Sequence, residues 1–263
     1  MRKLFYLWGV ISALALTSCG NYIEEIDLEE DGSGTYQIYT DIIPATVEMT
    51  VSMTKMFATM DSTKTIDEDS LRTAMYDEVW ADFPEHVDSV IDMAKELPDS
   101  IKNDPAAKPY IENMSGFMRG GKAEGHLYAG VQYEFKSIAD LQGFLNFMDK
   151  TQEARSAQEA RSPFGQLTKV RSKVVYKLQK NEFTRKVTFS QDMTDESEST
   201  EEMEALFGKG TMTTIIRTDR KIVTARGVNV QQNGDYEVVI KHDFYEAFLG
   251  KVNLDFAILF EKE

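Results

Sequence analysis

The chain has 263 residues, with 44 acidic against 29 basic side chains and a net charge of −15 at pH 7. So acidic a surface repels phosphate backbones and anionic headgroups, which excludes nucleic acid as an expected partner. Its 42% hydrophobic and 11% aromatic content is that of a chain that buries a core, not of a disordered one.

Arg2 and Lys3 form a short basic start, and Leu4 to Leu16 is apolar apart from Gly9 and Ser12. That run is too short to span a bilayer and leads into acidic chain, the pattern of a secretory signal. Leu16-Thr17-Ser18-Cys19 then resembles the bacterial lipobox. The resemblance implies removal of residues 1–18, diacylglycerol on the Cys19 thiol and acylation (a palmitate-type chain) of the new amino group. Each buried CH2 contributes about 0.8 kcal/mol, so two or three chains anchor stably. Cys19 is the only cysteine, so no internal disulfide is available and residues 19–263 must be held by a packed core. Gly20 stands where an Asp would resemble an inner-membrane retention signal. The expected location is therefore the outer membrane, facing the periplasm, with the cell surface as the alternative.

Residues 23–28 and 35–42 flank Glu-Glu-Asp-Gly-Ser-Gly and predict a hairpin. Pro44 suits the first turn of a helix. From about 44 to 118 the pattern predicts a helical insertion, with segments near 44–60, 68–82, 84–102 and 105–118. Asp69-Ser70 is expected to cap the second, and Pro84 and Pro105 to open the later ones. Residues 122–135 read as strand. Ile138 to Met148 reads as a helix with Ile138, Leu141, Leu145 and Met148 on one face. Residues 150–166 read as a helix tail and loop, and 192–206 as an acidic lead into a helix. Strands are predicted at 168–179, 182–190, 211–217, 221–231, 236–241 and 252–260, with a short helix at 244–249. The fold class is α+β, a single domain with a mainly antiparallel sheet. The first and last strands are expected to share that sheet.

Several groupings could carry function. Asp27-Leu-Glu-Glu-Asp-Gly-Ser-Gly resembles the start of an EF-hand loop, but Ile38 stands where the bidentate Glu is needed, so a hairpin turn is the reading and no metal is assigned. Met49, Met53, Met56 and Met60 form one helical stripe beside Phe57. It reads as core packing or as an adaptable apolar ligand surface, with a thioether copper site as the remote case. Ser62, Ser70, Ser89 and Ser100 each follow an Asp and precede Thr or an apolar residue. These tripeptides resemble O-glycosylation acceptors of exported Bacteroidetes proteins, which implies solvated serines. The three histidines, His86, His126 and His242, are isolated. His242-Asp243 reads as a solvated strand end in preference to an acid–base pair. No H-E-x-x-H, G-x-S-x-G or P-loop is present, so no catalytic residue, enzyme activity or cofactor is predicted.

The order of lipobox, first hairpin and the carboxyl-terminal segment TTIIRTDRKIVTARGVNVQQNGDYEVVIKHDFYEAFLGKVNLDFAILF resembles Bacteroidetes-type envelope lipoproteins and, more distantly, LppM-type lipoprotein domains. The resemblance implies an anchored α+β domain able to hold an amphipathic ligand, and it transfers no named site. With no catalytic motif in the chain, the function expected first is a lipid-anchored module that contacts envelope proteins without catalysis. The alternative is a carrier of a lipid or other amphipathic ligand beneath the methionine-rich helices.

Overall fold

A computed structural model describes residues 21–59, 67–81, 83–159, 172–189 and 210–262. The fold is α+β with mainly antiparallel sheets, as the strand patterning predicts. β1 (Tyr22–Leu28) and β2 (Gly34–Asp41) form the first hairpin. At its turn the Asp31 carboxylate accepts from the Ser33 amide at 2.9 Å and from the Ser33 hydroxyl at 2.6 Å. These bonds hold that carboxylate below its usual range and make the sequence an Asx turn.

Helices α1 (Ile42–Thr59) and α2 (Glu68–Ala81) follow. Asp67, and not Asp69-Ser70, caps α2, accepting from the Ser70 hydroxyl at 2.7 Å. The stretch expected to be helical from 84 to 118 differs. It contains β3 (Val87–Ile91), a 3-10 turn (Met93–Glu96), α3 (Asp99–Lys102), α4 (Lys108–Asn113) and β4 (Met114–Gly121). Pro109, not Pro105, sits in the first turn of α4. β3 becomes a strand because Val87 and Ile91 pack beside the cluster of Ile42, Ile43, Leu127 and Ala129 while its backbone pairs with β4. A tertiary partner thus overrides weak helical patterning.

β5 (His126–Phe135) and α5 (Ile138–Glu159) come next. Leu141, Phe144 and Phe147 are the fully buried face of α5, while Ile138, Leu145 and Met148 flank it, half-buried. β6 (Ser172–Gln179), β7 (Glu182–Phe189), β8 (Thr211–Thr218), β9 (Ile222–Gly227), β10 (Val230–Asn233), β11 (Glu237–Asp243), α6 (Phe244–Phe248) and β12 (Phe256–Phe260) complete the described elements.

Eight strands form one sheet in the order β10-β11-β8-β1-β2-β5-β4-β3, and four form a second in the order β6-β7-β12-β9. The β1–β8 pair is parallel and the other pairs are antiparallel. The single strand expected over 221–231 is split between the two sheets. Gly227 (φ 149°) and Asn229 (φ 57°) turn the chain there. A Cβ at Gly227 would lie 2.8 Å from the Asp255 carbonyl oxygen, so this corner needs glycine. The final strand also departs from expectation: β12 pairs with β7 and β9, not with β1. The reason is packing, since Phe256 lies against Tyr176 and Phe183 of β6 and β7, with Ile258 and Phe260 buried on the same side.

The core lies on one face of the large sheet. Ile26 and Tyr36 face it from β1 and β2; Phe144 of α5 packs on Tyr36 and Tyr133, and Phe183, Phe256 and Ile258 come from the small sheet. The opposite face of the large sheet carries Glu25, Asp27, Tyr39, Tyr128 and Arg217, all at least partly exposed. No described helix is long and apolar enough to cross a membrane.

Candidate functional site

Strand alternation places Glu24 on the same side of β1 as Ile26 and Leu28, and Arg185 on the same side of β7 as Phe183. Both charges therefore point into the space between the sheets, where Glu24 is 4% and Arg185 1% exposed. Arg185 Nη1 donates to Glu24 Oε2 at 2.8 Å and to Thr214 Oγ1 at 2.9 Å. Its Nε donates to the Leu254 carbonyl at 2.9 Å. The Tyr36 and Tyr176 hydroxyls donate to Glu24 Oε1 at 3.1 and 2.7 Å, and the Thr214 hydroxyl to Oε2 at 3.1 Å. Phe256 lies under the guanidinium at 4.8 Å.

Burial, reinforced by the neighbouring Glu24 charge, pushes both tyrosines far above their usual range, so they stay protonated donors. Burial opposes the Arg185 charge, but the Glu24 carboxylate at 2.8 Å outweighs it and holds its pKa above normal. The cluster is thus a closed ion pair with its acceptors filled, suited to cross-linking two sheets and not to proton transfer.

His242 joins this interior from β11. It is 5% exposed, not solvated as its place at a strand end predicts. Asp243 points elsewhere and caps α6, accepting from the Glu246 amide at 2.9 Å, so the two make no acid–base pair. Among the described residues, neither His242 ring nitrogen has a hydrogen-bond partner, nor does Arg185 Nη2 or Thr40 Oγ1. Burial and then the Arg185 charge hold His242 below the usual histidine range.

A second feature lies on the surface. An open groove of about 870 Å3 is lined by Asp27, Glu29, Arg217, Asp219, Asp235 and Glu237, among others. Arg217 bonds Glu25, Asp27 and Glu237. Burial and then Asp219 raise the Asp27 pKa. No group of three or more metal-ligating side chains occurs among the described residues.

The structure does not gather the sequence-predicted residues into one site. Cys19, Met60 and Ser62 lie outside the described residues, as do the side chains of Met49, Met53, Met56 and Phe57, although their backbone belongs to α1. Ser70 in α2 and Ser100 in α3 are exposed. Ser89, expected mid-helix, is exposed on β3, an edge strand of the large sheet. Glu24, Arg185 and His242 were legible in one respect: each puts a polar residue on the apolar side of its strand, where it needs a partner.

No protein-family model matches this chain, and a search of curated proteins finds no match. Among solved structures it is similar to the NMR structure of the folded domain of LppM from Mycobacterium tuberculosis, with a TM-score of 0.41 and 7% identity over 93% of this chain and 91% of that one.

Proposed function

We propose that the protein is a lipid-anchored envelope module that binds other envelope proteins through its outer surface and catalyses no reaction. The observation that supports this reading is the filling of the space between the sheets. Tyr36, Tyr176, Phe183, Ile216, Phe256 and Ile258 are all at most 4% exposed there. Glu24 among them takes bonds from Tyr36, Tyr176, Thr214 and Arg185. A carrier needs an enclosed apolar space of roughly 300–1,000 Å3 for its ligand. Between the two sheets that space is taken by side chains, which supports recognition on the surface; the space beneath the methionine stripe of α1 lies outside the described residues. Cys19 is the anchor, in the outer membrane and facing the periplasm.

In-cell crosslinking with Cys19→Ser tests the proposal. The intact chain is expected in the membrane fraction, crosslinked reproducibly to defined envelope proteins. Cys19→Ser, exported through an ordinary cleavable signal peptide so that no uncut leader holds it in the membrane, is expected in the soluble fraction with at least tenfold less crosslinked product. Membrane association that survives Cys19→Ser, or an intact chain that crosslinks to no protein, would contradict it.

A further inference from the structure

Buried histidines are ordinarily held by a hydrogen bond at one or both ring nitrogens. Among the described residues His242 has neither, yet it is 5% exposed. It sits on β11 two residues from Ile240, which pairs with Thr214 of β8. His242 and Thr214 are thus diagonal neighbours on one sheet face, about 7–8 Å apart between Cα atoms. Thr214 accepts from Arg185 at 2.9 Å, so the imidazole lies beside a guanidinium.

Among the described residues, the ionisable groups on the elements around it leave a proton no counter-charge. Arg185 comes from β7. Glu24 of β1 already accepts from Arg185, Tyr36, Tyr176 and Thr214. Tyr22 of β1 is kept protonated by burial and by Glu24. At the start of α6, Asp243 caps the helix, and Glu246 and Tyr245 belong to its single turn. In the segment after it, Asp255 accepts from the Val187 amide at 2.8 Å and Lys251 lies over the Tyr245 ring. A second cation beside Arg185 would therefore be buried without a carboxylate of its own.

The backbone at this place can give way. β11 is paired with β8 as far as Asp243, but with β10 only as far as Ile240. Lys241, His242 and Asp243 are therefore held from one side. They lead into α6, whose Phe244 and Tyr245 pack on Tyr22 and Met212.

We propose that His242 is an acid-sensitive latch for the corner formed by residues 241–249. Neutral, the imidazole stays packed and the corner is closed. Below the ordinary histidine pKa of about 6.5 the proton is bound far better in the open corner than in the closed one. Opening then takes up a proton, so closure weakens as pH falls through that value. The open corner exposes Phe244, Tyr245 and Met212 next to the end of β8.

Amide hydrogen exchange on the full chain, corrected for its intrinsic pH dependence, tests the latch. Between pH 7.5 and 5.5, protection at 241–249 is expected to fall about tenfold, the linkage of one proton over one pH unit below 6.5. Residues 241–249 should exchange through an opening of lower free energy than that of β2 and β5, whose own protection shares the same one-proton linkage because global unfolding also frees His242. In His242→Gln, which cannot titrate, protection of the corner should be flat with pH. Equal protection at both pH values in the wild type, or the same loss in His242→Gln, would overturn the proposal. Should His242→Gln fail to fold, NMR titration of the wild-type ring decides alone: a midpoint below 6.5 supports the latch, and one at or above 6.5 overturns it.

Discussion

Arg185→Met is expected to lower the unfolding free energy by about 3–5 kcal/mol, the cost of leaving one member of a buried ion pair without the other. Glu24 would then hold its charge in the interlayer space with only the three hydroxyl donors Tyr36, Tyr176 and Thr214. The Leu254 carbonyl would lose its donor as well, loosening the segment that leads into β12. Glu24→Gln on its own should cost a comparable amount by stranding the guanidinium. The double variant is the informative one. Its Gln oxygen still accepts from both tyrosines and no charge remains buried, so it should be more stable than either single variant. Urea midpoints with unchanged slopes measure all three. A double variant as unstable as the sum of the singles would contradict the assignment of the pair as one unit.

Phe144→Ala should be about as damaging, at about 3–5 kcal/mol, for a different reason. The ring is fully buried, stacks on Tyr133 at 4.1 Å with planes 2° apart, and meets Tyr36 edge-on at 6.1 Å. Its removal opens a cavity where α5 meets the large sheet, and it also removes an aromatic pair worth about 0.5–1.5 kcal/mol beyond area. Leu145→Ala, one residue further on at a half-buried position, should cost clearly less. Thermal melts of the two variants compare them directly. An equal loss would mean that α5 is rotated from the orientation described.

How much of this was readable beforehand depended on what decides each element. Hairpins were readable because local turn chemistry decides them, as at Asp31-Gly32-Ser33 and at Lys180-Asn181, where Lys180 has φ 56°. The α+β class followed from strand alternation. Assignment of strands to sheets did not follow, because it depends on contacts far apart in sequence. β12 could pair with any exposed edge, and its aromatic match to Tyr176 and Phe183 is visible only once folded. β3 is not legible in the sequence for the same reason: Asp88-Ser89-Val90 has no strong preference, and Val90 is 77% exposed, so pairing with β4 decides its state.

The site was partly readable. Glu24 and Arg185 each break the apolar side of a strand, which is a signal for a buried charge, but nothing in the chain order says that residues 161 positions apart are partners. His242 reads as solvated in the sequence because a polar residue at a strand end ordinarily is, whereas here it lies on the buried side of β11 with Val238 and Ile240. The methionine stripe of α1 shows the opposite case. Its periodicity is plain in the sequence, while the surroundings of Met49, Met53 and Met56 lie outside the described residues.

We propose that recognition happens on the surface of an anchored module whose space between the sheets is filled by its own side chains. Native mass spectrometry of the Cys19→Ser chain, secreted from its own host, tests this most directly. The account predicts a chain that carries no small molecule lost on denaturation, whether or not its serines hold covalent glycans. A discrete added mass that survives native conditions and disappears on denaturation would contradict it, because an amphipathic ligand would then occupy the space assigned here to the protein's own side chains.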